Sequence, residues 1–163
     1  MKFEKMSIQH GNDVIDIFNY YIENSFAAYR ESKLPYEAIN VFLEMTKGYP
    51  SYVIKDNERN KVLGFCFLRP YNLQPAFSET AEITYFIDKD ESGKGIGKEA
   101  LEFLEAEGRK IGIKHIMASI SAPNLNSIKF HIKSGFSEAG RFKNIAKKNG
   151  QCFDIVWMQK DIE

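Results

Sequence analysis

The hydrophobic residues of this chain recur with two periods, and each period predicts one type of secondary structure. After a short N-terminal strand, apolar side chains share one helical face at Val14, Ile17, Phe18, Tyr21 and Ile22. Asn12 or Asp13 is placed to cap this helix, and Pro35 opens a second one. A third helix, after a glycine-rich turn, directs these residues inward: Ile96, Ala100, Leu101, Leu104 and Ala106. A fourth, short helix runs through Ile132, with Gly135 as its C-terminal cap.

Apolar stretches of strand length lie between these helices. They are residues 51–55, 62–68, 81–87, 115–120, 136–142 and 153–158. Residues 56–60 form a predicted hairpin turn, and residues 69–78 a polar, irregular loop. The resulting order is β-α-α-β-β-β-α-β-α-β-β. It predicts an α/β (α+β) fold in which helices cover the faces of a mixed sheet.

Composition narrows the possible functions. The 163 residues suit a single domain, residues 1–163, and 44% of them are hydrophobic, enough for a buried core. Lys and Arg (22) balance Asp and Glu (22), so we expect no nucleic-acid partner, because such domains carry a basic face. No signal peptide or membrane-spanning stretch is visible, which predicts a cytoplasmic protein without a membrane partner. Cys66 and Cys152 are expected to be free thiols, and three scattered histidines predict no metal site.

The most specific chemical feature is the turn Ser92–Lys98, which has glycines at positions 93, 95 and 97. Glycines let several backbone N–H groups converge on one anion, and the N-terminus of the following helix adds partial positive charge. A Walker A loop is excluded because Ser92 and Glu99 stand where it needs glycine and a hydroxyl residue. A dinucleotide-binding fingerprint fails because Lys98 replaces its last glycine. The alternative is a tight strand-to-helix connection without a ligand.

A second motif lies downstream, where Asn124 leads into a short helix that ends in Lys133-Ser134-Gly135-Phe136. Together, the two motifs resemble those of the GCN5-related N-acetyltransferase (GNAT) family. The pyrophosphate loop of that family is [Gln/Arg]-x-x-Gly-x-[Gly/Ala], and here Ser92 replaces the Gln or Arg. The resemblance spans essentially the whole chain. It implies a mixed, mostly antiparallel central sheet flanked by helices on both faces.

A narrower resemblance is to the phosphinothricin and methionine-sulfoximine acetyltransferases. Glu82 begins the strand before the turn, His131 stands where most relatives carry tyrosine, and residues 148–159 resemble the end of that subgroup. The resemblance implies an enzyme that uses acetyl-CoA to acetylate a small primary amine by direct attack. It also implies pairing as a homodimer.

The resemblance assigns roles to individual residues. Glu82 would be the general base, acting through a water, because an alkylamine must lose a proton before it attacks. His131 would be the general acid that protonates the leaving thiolate. The implied acetyl-CoA-binding residues are Tyr85, Phe86 and Ile87 through their backbones, and Gly93, Lys94, Gly95, Ile96, Gly97, Lys98, Asn124 and Ser127. The structural alternatives are a solvated carboxylate for Glu82, a histidine satisfied by a carbonyl for His131, and core packing for the aromatic side chains.

The amine acceptor is less well defined by the sequence. The candidate walls of its site are Phe26, Tyr29, Tyr71 and Phe77. Core packing is the alternative for each of them. Herbicide-inactivating members of the subgroup carry cationic side chains in the loop before the general base, where this chain has Asn72 and Gln74, so that Arg69 is the remaining charge partner. We therefore expect an amino-acid-like primary amine and poor acetylation of phosphinothricin.

Two other classes of function remain open from the sequence. One is a non-catalytic module that binds or senses acyl-CoA, since the glycine turn can hold a phosphate without turnover. The other is an acetyltransferase of peptide or protein amines, which needs an open or extended groove.

Overall fold

The computed structural model describes residues 1–163. Its strands are β1 (Lys2–Lys5), β2 (Ser51–Asp56), β3 (Lys61–Pro70), β4 (Thr80–Ile87), β5 (His115–Ser121), β6 (Ser137–Lys148) and β7 (Gln151–Asp161). Its α-helices are α1 (Gly11–Asn24), α2 (Ile39–Met45), α3 (Ile96–Lys110) and α4 (Leu125–Lys133). Apart from four short 3-10 turns, this is the predicted order of elements. None of the helices combines the length and the hydropathy that crossing a membrane requires.

The seven strands form one sheet in the order β1-β2-β3-β4-β5-β7-β6. Every neighbouring pair is antiparallel except β4 and β5, which run parallel. A parallel pair needs a crossover connection, and here α3 supplies it. The predicted mixed, mostly antiparallel sheet is confirmed.

Helices cover both faces of the sheet, as predicted. The α1 and α2 helices pack on a core that includes Val53, Phe65 and Phe67, and α3 packs on a core that includes Leu68, Ile116 and Val156. The prediction that Ala106 faces inward is wrong, because Ala106 is exposed and Glu105 is buried. Leu101, Leu104, Glu105 and Gly108 share the inner face at helical spacing. Glu105 tolerates this position because its Oε1 lies 2.5 Å from Nζ of Lys160.

Two predicted boundaries are also wrong. The α1 helix begins at Gly11 with His10 as its N-cap, so neither Asn12 nor Asp13 caps it. A 3-10 turn over residues 8–10 already starts the helical path, and the Ser7 N–H donates to Nδ1 of His10 at 3.0 Å. The predicted loop 69–78 is shorter than expected, because β3 continues through Pro70 and residues 75–77 form another 3-10 turn.

The sheet has a gap in its middle. The β4 and β5 strands pair only from Thr80–His115 to Glu82–Met117. Beyond that point β4 continues to Ile87 and β5 continues to Ser121, but the two strands no longer pair with each other. The two strands therefore leave unpaired backbone groups along a wedge that begins beside Glu82 and opens toward the glycine turn.

Candidate active site

The alternation of the β3–β4 ladder decides which backbone groups face the gap. The Asp88 N–H donates to the Leu63 carbonyl at 2.7 Å, so this opposite pair is hydrogen-bonded. Hydrogen-bonded pairs alternate along an antiparallel ladder, and Phe86 opposite Phe65 is the next one. The backbone of Phe86 therefore points to β3, contrary to the predicted role in cofactor binding. Its ring lies in the α1-side core, 5.1 Å from that of Phe18.

The residues on either side of Phe86 have the opposite backbone orientation. Tyr85 and Ile87 lie at the positions of the β3–β4 ladder that are not hydrogen-bonded, so their N–H and C=O groups point into the gap. The Ile87 carbonyl is already used, since the Tyr21 hydroxyl donates to it at 2.5 Å. The groups left for a ligand at this edge are the Ile87 N–H and both backbone groups of Tyr85.

The glycine turn adopts a backbone conformation that explains its sequence. Gly93 has φ +77° and Gly95 has φ +85°, in the left-handed region, and Gly95 is the N-cap of α3. A Cβ at either residue would meet nothing within 4 Å, so the space above the turn is open. Gly97 is already inside the helix, and a Cβ there would lie 3.8 Å from the Phe130 ring. This open turn at a helix N-terminus fits a phosphate group.

A buried carboxylate anchors the start of the turn. Glu91 is 3% exposed, and Nη1 of Arg59 and Nζ of Lys94 lie 3.0 and 2.9 Å from its two oxygens. The hydrogen bond from Arg59, helped by Lys94 and Lys61, lowers the pKa of Glu91 to about 2. The side chain of Lys94 is thus paired with Glu91 and does not line either cavity described below, while a contact of its backbone with the cofactor stays a prediction. Lys98 remains exposed beside the turn.

Two cavities meet at the gap. The α3-side cavity, of about 700 Å³, is lined by the turn and by residues of α3 and α4, including Gly93, Gly95, Ile96, Gly97, Lys98 and Ser127. The α1-side cavity, of about 590 Å³, lies between the sheet and the α1–α2 region. Four residues line both cavities: Tyr85, Ile87, Ser92 and Ser127. A ligand on one face of the sheet can therefore reach a ligand on the other.

Asn124 lies at the edge of the α1-side cavity and has a structural role. Its Oδ1 accepts a hydrogen bond from the Ser127 N–H at 3.3 Å, which makes Asn124 the N-cap of α4. The side-chain amide nitrogen of Asn124 has no partner in the protein and remains for the predicted contact with a cofactor.

Glu82 is held at the closed end of the wedge by the arginine opposite it. Arg69 and Glu82 are directly paired in the β3–β4 ladder, so their side chains lie on the same face. Nη2 of Arg69 lies 3.1 Å from Oε1 of Glu82, and Glu82 is mostly buried. Both side chains line the α1-side cavity. Glu82 is therefore not a solvated strand-end carboxylate, and its second oxygen, Oε2, is left for a water or an amine.

Tyr29 lies across the same cavity. Its hydroxyl is 2.9 Å from Oγ of Ser119 on β5, a hydrogen bond that ties the α1–α2 segment to the sheet. Burial raises the pKa of Tyr29, and the charge of Glu82 adds a smaller rise in the same direction. Tyr29 thus stays neutral and close enough to Glu82 to sense its charge.

His131 is buried, and both of its ring nitrogens have partners. Nδ1 lies 2.7 Å from the Ser127 carbonyl, which only accepts, so Nδ1 carries a proton. Nε2 contacts the Tyr85 hydroxyl, which donates to it when the ring is neutral. Burial lowers the pKa of His131 and raises that of Tyr85. The carbonyl contact is the structural alternative foreseen for this histidine, and the tyrosine contact adds a group that lines both cavities.

The structure brings only part of the predicted acceptor site together. Tyr29 and Arg69 line the α1-side cavity with Glu82, whereas the following residues do not: Phe26, Tyr71, Asn72, Gln74 and Phe77. Phe26 packs on Phe153 at 5.0 Å, and Tyr71 lies between Phe77 and Trp157 at 5.8 and 5.9 Å. These aromatic rings pack against one another outside the cavity, and Tyr71 and Phe77 remain exposed, so they do not wall it.

Sequence reasoning missed Tyr21 and Ser119 as site residues. Tyr21 was assigned to the helix core, yet its hydroxyl binds the edge of the gap. Ser119 and Ser121 interrupt an otherwise apolar strand, β5, on the face opposite Ile116, Ala118 and Ile120. Two hydroxyl residues near the C-terminal end of an apolar strand are the signal that would have indicated a site there.

Comparison with known proteins agrees with this geometry. The family described as "Acetyltransferase (GNAT) domain" matches residues 7–157. The chain is 31% identical to YwnH of Bacillus subtilis over 91% of each chain. It is 26% identical to the L-methionine sulfoximine/L-methionine sulfone acetyltransferase of Pseudomonas aeruginosa, over 92% of this chain and 88% of that one. The protein belongs to the GNAT family of N-acetyltransferases, as the resemblance of its motifs predicts.

A solved structure supports the fold and the donor. The phosphinothricin acetyltransferase of Sinorhizobium meliloti, in complex with acetyl-CoA, superimposes with a TM-score of 0.91 at 25% identity, over 98% of this chain and 87% of that chain. GNAT acetyltransferases use acetyl-CoA, which confirms the predicted cofactor. In the present chain, the open glycine turn fits the pyrophosphate of acetyl-CoA. The free edge of β4 fits the amide-rich pantetheine arm of the same cofactor.

Proposed function

We propose that this protein transfers the acetyl group of acetyl-CoA to the primary amine of a small, amino-acid-like molecule, by direct attack. The observation that carries the proposal is the meeting of two cavities at the β4–β5 gap, with Glu82 and Tyr85 on its walls. Acetyl-CoA supplies a thioester, which an uncharged amine can attack. Holding donor and acceptor in adjoining cavities replaces a collision in solution by a reaction within one complex.

For the donor, we propose that the α3-side cavity holds the pyrophosphate and the pantetheine arm. The N–H groups at the start of α3 would bind the pyrophosphate, with Gly93 and Gly95 providing the room. Lys98 would add positive charge. Tyr85 and the Ile87 N–H would pair with the pantetheine amides as an added strand does.

For the acceptor, we propose Glu82 as the general base. Arg69 orients the carboxylate of Glu82 through Oε1, so Oε2 takes a proton from the ammonium group through a water. Arg69 would also attract an acceptor carboxylate, and Arg30 is a second cation that lines the same cavity. The cavity is otherwise mostly apolar, which supports an amino-acid-like amine with an apolar side chain over doubly anionic phosphinothricin.

For the leaving sulfur, we propose that His131 acts together with Tyr85. Donation from a neutral pair would leave a buried tyrosinate, which the raised pKa of Tyr85 opposes. A protonated His131, which is the minor form at neutral pH because burial lowers its pKa, instead passes its Nε2 proton to the Tyr85 oxygen while the tyrosine O–H protonates the sulfur. The lowered pKa of His131 makes its protonated ring a stronger acid than an ordinary histidine, so transfer to a thiolate of pKa about 8.5 is downhill.

We propose one acetyltransferase domain, residues 1–163, that acts in the cytoplasm and pairs as a homodimer. Support for pairing comes from β6, a long edge strand with Phe142 and Ile145 exposed, because such an edge favours association with another chain. Light scattering after size exclusion should give about twice the monomer mass, and a monomer at micromolar concentration would contradict the pairing.

The proposed reaction is tested by thiol release from acetyl-CoA over a panel of amines. The panel contains apolar amino acids, amino-acid sulfoximines, phosphinothricin, polyamines and short peptides. We expect turnover on amino-acid-like amines and slower turnover on phosphinothricin. Turnover confined to peptides would favour the protein-amine alternative. Acetyl-CoA binding in a calorimeter without turnover on any amine would favour the non-catalytic module.

A further inference from the structure

Lys148, at the end of β6, is a buried lysine outside both cavities. Lys148 is only 1% exposed. Its ammonium group donates three hydrogen bonds, each of 2.7 Å, to the carbonyls of Ile22, Ser25 and Ala28. An ammonium group has three N–H donors, so all of them are used.

The three carbonyls have a common need for a donor. Ile22 lies in the last turn of α1, where carbonyls have no partner within the helix. Ser25 and Ala28 belong to the segment 25–34, which forms neither helix nor strand. A cation at the C-terminus of a helix also interacts favourably with the helix dipole. These carbonyls have no hydrogen-bond donor from the helix or from a strand ladder. Lys148 therefore supplies the donors that they need.

A cation at this buried position loses its hydration, which costs free energy. Burial lowers the pKa of Lys148, and the nearby charge of Glu31 opposes that effect. An apolar residue avoids the desolvation cost of the ammonium group but supplies no donor. The three short hydrogen bonds indicate that Lys148 holds this backbone in one position. Apolar packing alone would not fix that position.

The segment that Lys148 binds forms one wall of the α1-side cavity. Ala27, Ala28, Tyr29 and Arg30 all line that cavity. Tyr29 crosses it to bind Ser119, so the segment is attached at Tyr29 on its inner side and by Lys148 on its outer side. The residue after Lys148 adds a further contact, because the Asn149 N–H donates to Oε1 of Glu31 at 2.6 Å.

We infer that Lys148 is a positioning residue that fixes the segment 25–31 so that the Tyr29 hydroxyl keeps its hydrogen bond to Ser119 across the acceptor cavity and that cavity keeps its shape. The inference rests on the proposed function, which makes this cavity the amine site. The α3-side cavity shares no residue with the segment 25–31. Loss of Lys148 should therefore weaken the use of the amine and leave the binding of acetyl-CoA unchanged.

The test compares Lys148→Met with Lys147→Met. Methionine keeps the length of the side chain without its donors, and Lys147 is an exposed neighbour on the same strand. We expect Lys148→Met to raise KM for the amine about tenfold or more, with KM for acetyl-CoA within about twofold of the wild-type value, and Lys147→Met to change neither. An equal rise in both KM values, or no rise in either, would overturn the inference.

A double-mutant cycle with Tyr29→Phe separates positioning from a general loss of stability. If Lys148 acts through Tyr29, the effect of Lys148→Met on KM for the amine shrinks in the Tyr29→Phe background. Full additivity would contradict that route. Should Lys148→Met fail to fold, Glu31→Ala releases the same segment at the surface, and a rise of about two- to fivefold in KM for the amine alone is expected. Unchanged KM values in Glu31→Ala would then count against the inference.

Hydrogen exchange keeps this test independent of the proposed reaction. In Lys148→Met, the amides of residues 25–31 should exchange faster while those of α3 keep their wild-type rates. Unchanged exchange in residues 25–31 would refute the role of Lys148 even if the enzyme is active. A wild-type protein that acetylates no amine would instead refute the proposed function, whatever the exchange shows.

Discussion

The chemistry of the site depends on a few residues that face each other across ladder positions. Arg69 and Glu82 are opposite one another on β3 and β4, and this register, rather than their separation in sequence, makes them an ion pair. The ion pair holds the Glu82 carboxylate in one orientation on the wall of a mostly apolar cavity. Glu82 is therefore an oriented group near the place where the two cavities meet.

Replacement of Glu82 by Gln removes the base and keeps the shape of the side chain. We expect kcat to fall about 100-fold or more at neutral pH, in the range that general bases contribute. The loss should diminish above the pKa of the amine, where the acceptor is already neutral. Rates measured from pH 6.5 to 10 check this, with Glu79→Gln as the control, since Glu79 is exposed and pairs with Lys114 instead. Full activity of Glu82→Gln at pH 7 would disprove the assignment.

His131 gives the folded protein a specific response to acid. Burial lowers its pKa below the ordinary 6.5, so below about pH 6.5 the unfolded chain binds a proton that the native chain does not. The contribution of His131 to stability is therefore fully present above that pH and is lost as the pH falls toward the lowered pKa. Glu91 and Asp56, with pKa values of about 2 in the native protein, affect stability only at more acidic pH.

Thermal unfolding between pH 7.5 and 5 measures this response. The wild-type midpoint should decrease as the pH falls through 6.5, and His131→Gln should decrease less steeply over the same interval because the titrating group is gone. Equal slopes in the two proteins would show that the acid sensitivity comes from other groups.

At the scale of elements, the local sequence pattern predicts which segments form helices and strands, but it does not predict how distant strands pair. The order of helices and strands follows from apolar periodicity and from breakers such as Pro35, so it was predictable. The gap between β4 and β5 was not predictable, because strand pairing joins distant parts of the chain and leaves no periodic signal. The misplaced acceptor residues have the same origin: Tyr71 packs between Phe77 and Trp157, and no spacing in the sequence indicates its contact with Trp157.

The glycine turn was predicted from its residues, and the structure explains why two of its glycines differ in importance. Gly95 caps α3 with φ +85°, which a residue with a Cβ adopts at a cost of about 1–2 kcal/mol. Gly97 is helical with room for a methyl group beside Phe130. This agrees with the family pattern, in which the position of Gly97 accepts alanine and that of Gly95 does not.

Alanine at these two positions makes a matched comparison. Gly95→Ala should lower the free energy of unfolding by about 1–2 kcal/mol. It should also raise KM for acetyl-CoA about tenfold, because the N–H groups at the helix start lose their alignment. Gly97→Ala should raise the free energy of unfolding by at most about 0.5–1 kcal/mol, since alanine forms helix better than glycine and Gly97 lies in the first turn of α3, and leave KM for acetyl-CoA nearly unchanged. Denaturant titration and steady-state kinetics test both, and equal behaviour of the two variants would contradict the account.

At the scale of the whole molecule, the sheet separates two binding sites and its gap connects them. The α3-side cavity has the glycine turn, and the α1-side cavity has Glu82, Arg69 and Tyr29. This arrangement supports the proposed direct transfer, in which donor and acceptor would be bound together. The cysteines agree with this, because Cys66 is fully buried with a raised pKa and Cys152 lies on the β6–β7 hairpin, outside both cavities.

The most direct test follows the acetyl group itself. The protein is incubated with acetyl-CoA that carries an isotopically labelled acetyl group and with a mixture of the panel amines, and mass spectrometry is run on the small molecules and on the intact protein. The account predicts label on the amine nitrogen of an amino-acid-like acceptor, almost none with Glu82→Gln, and none attached to the protein. Label that stays on the protein, or bound acetyl-CoA with no labelled amine, would contradict it.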